Sequence, residues 1–213
     1  MIKDLSALGF SVQNLEQRHV VTSRLMNSWF EGLLARRVAV FCRQRESLGR
    51  WIRRAIKALW LVFHPSSWDL SRFSEKKTYN EERALDLRSL LRHWRAQHSS
   101  RQVYLFAHSA GGIVSSWLEN EANVVSLVCF GYPFKHLEES EEPFRTMHLK
   151  HMRKPFLIIQ GDRDSYGTKE KARQYELSAS IRIVPINANH SYDALTPETY
   201  RGCLELVAQH FSE

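Results

Sequence analysis

Three apolar runs in this chain each end in a residue able to take part in proton transfer, in the order serine, acid, histidine. The first run is Val103-Tyr104-Leu105-Phe106-Ala107, followed by His108-Ser109-Ala110-Gly111-Gly112. Five apolar residues in a row predict a strand covered on both faces in a parallel sheet. Ala107, Ala110 and Gly111 keep the flanks of Ser109 small, as a tight strand-to-helix elbow requires. Gly112, Ile113, Val114, Trp117 and Leu118 predict a helix with one packed face behind it. Such a turn lifts a hydroxyl above the sheet edge and sets it at a helix N-terminus, where free N–H groups favour developing negative charge. The second run, Phe156 to Gln160, ends at Gly161 with carboxylates at Asp162 and Asp164. The third begins at Ile181 and ends in a polar turn that carries His190.

Those residue types suit nucleophilic catalysis. A serine hydroxyl is a weak nucleophile until a base removes its proton, and an imidazole does so near neutral pH. A carboxylate on the far ring nitrogen fixes the tautomer and stabilises the imidazolium. The tetrahedral oxyanion needs two N–H donors, and the backbone of Ala110, directly after Ser109, supplies one. His108, beside the serine, is a candidate substrate contact.

Small-x-Ser-x-Gly at residues 107–111, Gly161-x-x-Asp164 and Asn189-His190, in this chain order, resemble the α/β-hydrolase superfamily. The resemblance covers Val38 to the end. It implies a three-layer α/β/α sandwich around a mostly parallel sheet, with Ser109 as nucleophile, His190 as base and Asp164 as acid, Asp162 standing in reserve. Phe130-Gly-Tyr-Pro and Phe144-Arg-Thr-Met-His-Leu are similar to the small, lid-poor dienelactone-hydrolase-like branch. The second oxyanion donor is implied to come from the loop after an earlier strand, here the backbone of Cys42 or Arg43. In this superfamily that loop is usually glycine-rich, whereas Cys42-Arg43-Gln44-Arg45-Glu46 holds no glycine. Arg43 and Arg45 could instead project a guanidinium that selects a carboxylate or phosphate on the substrate. The expected activity is cleavage of an ester or thioester through an acyl-enzyme, without cofactor or metal. Its competitors are a hydrolase-fold binding or scaffold protein with weak catalysis, and an amidase or peptidase using the same three residues.

Composition agrees with an enzyme of one folded domain across residues 1–213. Hydrophobic residues make up 43% and aromatics 11%, which excludes a disordered chain. No apolar core follows Met1-Ile-Lys-Asp, so no secretory leader is expected, and Ala58–Phe63 is too short to span a membrane. Cys42, Cys129 and Cys203 are odd in number and sit in apolar contexts, as buried thiols of a reducing cytoplasm would. No Cys-x-x-Cys or His-Glu-x-x-His spacing points to a metal.

The elements needed to position the three residues alternate strand with helix, which builds a parallel sheet covered on both faces. Strands are expected at Gly9–Leu15, Val38–Cys42, Leu61–His64, Val103–Ala107, Val124–Phe130, Phe156–Gln160 and from Ile181. Helices are expected at Arg24–Ala35, Ser47–Trp60, Asn80–Gln97 with Asn80 as N-cap, after Ser109, at Lys169–Leu177 and at Pro197–Phe211. The acidic Glu138–Glu142 reads as a solvated loop. Charge is uneven: residues 1–100 hold 18 Lys/Arg against 9 Asp/Glu, and residues 101–213 hold 12 against 14. Arg50, Arg53, Arg54 and Lys57 face away from Trp51, Ile52, Ile56 and Leu59, so residues 50–60 could meet an anionic membrane surface. The favoured reading packs that apolar face on the sheet. A small-molecule or acyl substrate is the expected partner; no nucleic acid is expected, since no aromatic platform or known motif accompanies the basic half.

Overall fold

The computed structural model describes residues 2–7, 9–12, 62, 79–137 and 142–212. The chain divides into two compact units, Asn14–Ser100 and Met1–Gln13 with Arg101–Glu213. The helices expected at 24–35 and 47–60, and the strands at 38–42 and 61–64 apart from Val62, lie outside the described residues. So do Cys42, Arg43, Arg45 and the basic stretch 50–60.

In the first unit the described helix is α2 (Tyr79–Gln97). Ala84, Leu85, Ser89 and Leu91 are its buried residues, at spacings that place them along one side of a 3.6-residue repeat. Asn80 lies within the helix, one residue past Tyr79, and so is not its N-cap.

The second unit opens with α1 (Ile2–Ala7), where a strand was expected a few residues later. Gly9 explains the difference. Its φ of +91° suits the residue that ends a helix, and its N–H donates to Ser6 while the Phe10 N–H donates to Leu5. This paired cap turns the chain and sends the Phe10 ring against Tyr104 and Phe211.

Four strands follow: β1 (Val103–His108), β2 (Val124–Phe130), β3 (Phe156–Gly161) and β4 (Ile181–Ile186). They pair in sequence order and all are parallel. A parallel sheet that advances in one direction with right-handed crossovers carries all of those crossovers on one face. That face takes α3 (Ala110–Ser116), the segment after β2, and α4 (Lys169–Ala172). A Cβ on Gly112 would overlap Cys129 Sγ, so α3 lies directly on β2. The opposite face is covered by α1 and α5 (Pro197–Ser212), whose Leu5, Cys203, Val207 and Phe211 pack on Val128, Phe130, Leu157 and Ile159. Each such aliphatic or aromatic side chain contributes about 1.5–3 kcal/mol on burial.

β3 is buried at every position and β2 at nearly every one, as central parallel strands should be. β1 is less covered than its composition suggests: Phe106 is 38% exposed. β4 has no fully buried residue, exposes Arg182 and admits Pro185, a pattern suited to a strand at the margin of the described sheet. α3 is shorter than expected and ends at Ser116 with Trp117 as its C-cap. α4 stops at Ala172 rather than Leu177, and Tyr175 turns inward to stack on Phe134. No helix among the described residues is long and apolar enough to cross a membrane.

The crossover between β2 and β3 is pinned by buried polar contacts. Glu119 is 5% exposed and accepts hydrogen bonds from the Arg153 and Lys154 backbones at 2.8 and 3.0 Å. His148 Nε2 lies 2.7 Å from the Ser116 hydroxyl. Burial lowers His148 to about 4, against the partial opposition of a Phe144 backbone bond and the Glu119 charge. The folded protein therefore keeps this imidazole neutral while the unfolded chain takes up its proton from about pH 6.5 downward. Stability should fall between about pH 6.5 and 4 on this account. In denaturant melts, His148→Gln should lose about 2 kcal/mol less than the wild type between pH 7 and 4.5; equal losses would remove His148 as the cause.

Candidate active site

The serine stands where β1 ends and α3 begins. Ser109 has φ 53° and ψ −129°, a left-handed conformation that costs a non-glycine residue about 1–3 kcal/mol. Neighbours hold it there: its N–H donates to Phe130 O at 2.9 Å, and its carbonyl accepts from Gly112 N–H at 2.8 Å. Ala110 is the first residue of the helix, so its N–H belongs to the turn whose donors have no partner within the helix.

His190 and Asp164 arrive from two other strand ends. Ser109 Oγ lies 2.8 Å from His190 Nε2. His190 Nδ1 lies 3.0 and 2.9 Å from the two carboxylate oxygens of Asp164. Asp164 is 3% exposed and its side chain 0%, and the carboxylate's other partners are donors only. Tyr166 N–H donates to Oδ1 at 2.8 Å, and Gln160 Nε2 donates to Oδ2 at 3.0 Å. Water is thus replaced by fixed N–H groups, the condition for burying an ionised carboxylate. Asp162, the reserve acid, is exposed and does not reach the imidazole. Its Oδ1 accepts from Ala188 N–H at 3.2 Å and pins the base of the histidine loop.

The histidine loop is braced from within. Asn189 Oδ1 accepts from the Ser191 and Tyr192 N–H groups at 3.2 and 3.0 Å. His108 Nε2 is 2.8 Å from the His190 carbonyl, an atom that can only accept, so His108 carries its proton on Nε2 and holds the loop from β1. The ring expected to meet substrate thus spends one nitrogen on its neighbour's backbone. Tyr166 packs its ring 4.4 Å from that of His190.

Two further residues escaped the sequence reading. Tyr192, at φ 56°, donates its hydroxyl to Ile159 O at 2.7 Å and accepts from Gly161 N–H at 3.1 Å. It ties the histidine loop to the end of β3. Burial first, and then the Asp164 charge, push its phenol far above the usual range, so it stays a donor. Gly131 has φ +59°, and a Cβ there would sit 3.0 Å from Asp164 Oδ2 and 3.2 Å from His190 Nδ1. Nothing local gave either a role at the site: one is a lone tyrosine after a histidine, the other the glycine of the Phe130-Gly-Tyr-Pro segment read only as a likeness. The neighbouring Cys129 thiol is pushed up mainly by burial and also by Asp164, which keeps it protonated and unreactive.

With this geometry in hand, the relatives can be set beside it. A family model described as an alpha/beta hydrolase domain matches residues 69–209. The chain belongs to the alpha/beta-hydrolase family. Among solved structures it is similar to an esterase of Pyrococcus furiosus, at 14% identity and TM-score 0.51, with 65% of each chain covered. It is also similar to an alpha-beta serine hydrolase homologue from Coxiella burnetii, at 22% identity and TM-score 0.49, covering 63% of this chain and 61% of that one. The esterase domain of a Rhodothermus marinus protein matches at 18% identity and TM-score 0.46, covering 60% of this chain and 67% of that one. The chain thus spans under two thirds of the length of the first two. No curated protein matches it.

Gly131→Ala tests how tightly the site is packed. The added methyl group should displace the Asp164 or His190 side chain and lower hydrolytic turnover by about ten-fold or more, with near-native circular dichroism, since overpacking typically costs about 1–3 kcal/mol. Turnover equal to the wild type would show that the site yields without loss.

Proposed function

We propose that this protein is a serine hydrolase that cleaves an ester or thioester through an acyl-enzyme. The observation that carries the proposal is the unbroken run of hydrogen bonds from Ser109 Oγ through His190 to the buried Asp164 carboxylate. In the first half-reaction His190 Nε2 takes the Ser109 proton as Oγ bonds to the carbonyl carbon. Asp164 keeps Nδ1–H in place and stabilises the imidazolium. The Ala110 N–H donates to the oxyanion as it forms. Collapse of the tetrahedral intermediate breaks the bond to the alkoxide or thiolate, which leaves with the proton from His190 Nε2. A water then repeats the sequence: it gives its proton to His190, attacks the acyl carbon and releases the acid with Ser109 restored. The elbow strain and the short Ser109–His190 contact support this reading, because both prepare the nucleophile before any substrate binds. An activated ester or thioester is the substrate class that asks least of one imidazole base acting on a serine. An amide's poorer leaving group demands more.

A panel of activated esters and thioesters of graded acyl length tests the assignment. The wild type should hydrolyse at least one member, and Ser109→Ala should reduce turnover to background. Asp164→Asn should lower kcat by about four orders of magnitude, because the amide holds the wrong imidazole tautomer. Equal turnover by wild type and Ser109→Ala would overturn the proposal.

A further inference from the structure

We infer that Gln160 is a positioning residue for the Ser109–His190–Asp164 relay, holding the Asp164 carboxylate in the orientation that its bond to His190 requires. Gln160 is the fifth residue of β3, after the apolar Phe156, Leu157, Ile158 and Ile159, and it is wholly buried. Both amide hydrogens are in use. Nε2 donates to Asp164 Oδ2 at 3.0 Å and to the Gly167 carbonyl. The amide oxygen has no hydrogen-bond partner among the described residues. A leucine or methionine would fill this strand position without burying an unpaired carbonyl, which is unfavourable. Packing does not explain the amide; its two donors do.

Those donors tie the end of β3 to the middle and to the end of the loop 161–167. They also complete the carboxylate: one fixed N–H on each oxygen, Tyr166 on Oδ1 and Gln160 on Oδ2, with the imidazole spanning the two. With the Tyr166 bond alone, the carboxylate could pivot about its Cβ–Cγ bond and carry its oxygens out of line with Nδ1. The Gln160 bond also draws charge from Oδ2. Both losses fall on one contact, the bond between Nδ1–H of His190 and the Asp164 carboxylate, which a pivoted carboxylate no longer faces squarely. The other titratable groups packed around the pair are Tyr166, Tyr192, His108 and the Cys129 thiol. A substitution at residue 160 leaves all four in place.

The kinetic arm of the test rests on the serine-hydrolase reading; the spectroscopic arm rests on geometry alone. Gln160→Met keeps the length and volume of the side chain and removes both donors. In the full chain, the Nδ1–H proton of His190 is followed by NMR, with His190→Ala to assign its signal. The expected result is an upfield move of that resonance, or its loss to exchange with water, as the bond to Asp164 weakens. On the best ester, kcat should fall about ten- to a hundred-fold, the size of one hydrogen bond to a charged group, with KM within about two-fold. Gln160→Glu, of nearly the same shape, repels Asp164 when ionised and should change the resonance the same way; it decides the matter if the methionine variant does not fold. An unmoved Nδ1–H resonance in the folded variant overturns the inference, as does a rise in KM at unchanged kcat. If the wild type hydrolyses no ester, the functional reading fails, while the Nδ1–H resonance still decides the role of Gln160.

Discussion

A carboxylate taken out of water sets the terms for the rest of this structure. Removing one ion from solvent costs several kcal/mol even after the protein relaxes, and the cost is met only by donors of good geometry. Asp164 receives a backbone N–H from Tyr166, an amide N–H from Gln160 and the imidazole of His190. Each donor comes from a different piece of chain: the acid turn, the end of β3 and the loop after β4. Holding the three together is what the parallel order of β3 and β4 achieves, since Gly161 and Ile186 lie side by side at the sheet's carboxyl edge. Tyr192 reinforces the same seam by bonding Ile159 and Gly161.

The serine is placed by a different balance. Its left-handed backbone stores strain, offset by bonds to Phe130 and Gly112 and by close packing of α3 on β2. The Phe130 bond comes from the end of β2 and the Gly112 bond from α3, so strand and helix fix the elbow together. The face closed by α1 and α5 carries the Val128, Phe130, Leu157 and Ile159 side chains. It supplies the buried area that keeps the strands in register.

Much of this was legible because apolar runs that stop at polar residues record strand ends directly. Val124–Phe130 has the same bounds in sequence and structure, and Ser109, Asp164 and His190 each follow such a run. The histidine's nearest neighbours were not legible. Gln160 reads as the polar end of a strand, and nothing in its flanks says that its amide faces a carboxylate four residues on. Tyr192 and Gly131 matter through contacts made across the sheet, which no local period carries. The expected strand at Gly9–Leu15 failed over Gly9–Val12 because hydrophobic residues there serve a helix cap and an aromatic cluster instead of a ladder. The helix at Lys169 kept its amphipathic pattern to Leu177, yet the chain turned after Ala172 to seat Tyr175 on Phe134. The arginine-bearing loop at 42–46, from which a second oxyanion donor is expected, lies outside the described residues.

Covalent trapping tests the central claim, that the buried carboxylate and its imidazole make one serine a nucleophile. The folded protein is treated with a fluorophosphonate probe, digested, and mapped by mass spectrometry. The account predicts one adduct per chain, on the peptide bearing Ser109, formed quickly in the wild type and at background rate in Asp164→Asn. Absence of labelling on folded wild-type protein, or an adduct on any other serine, would contradict it.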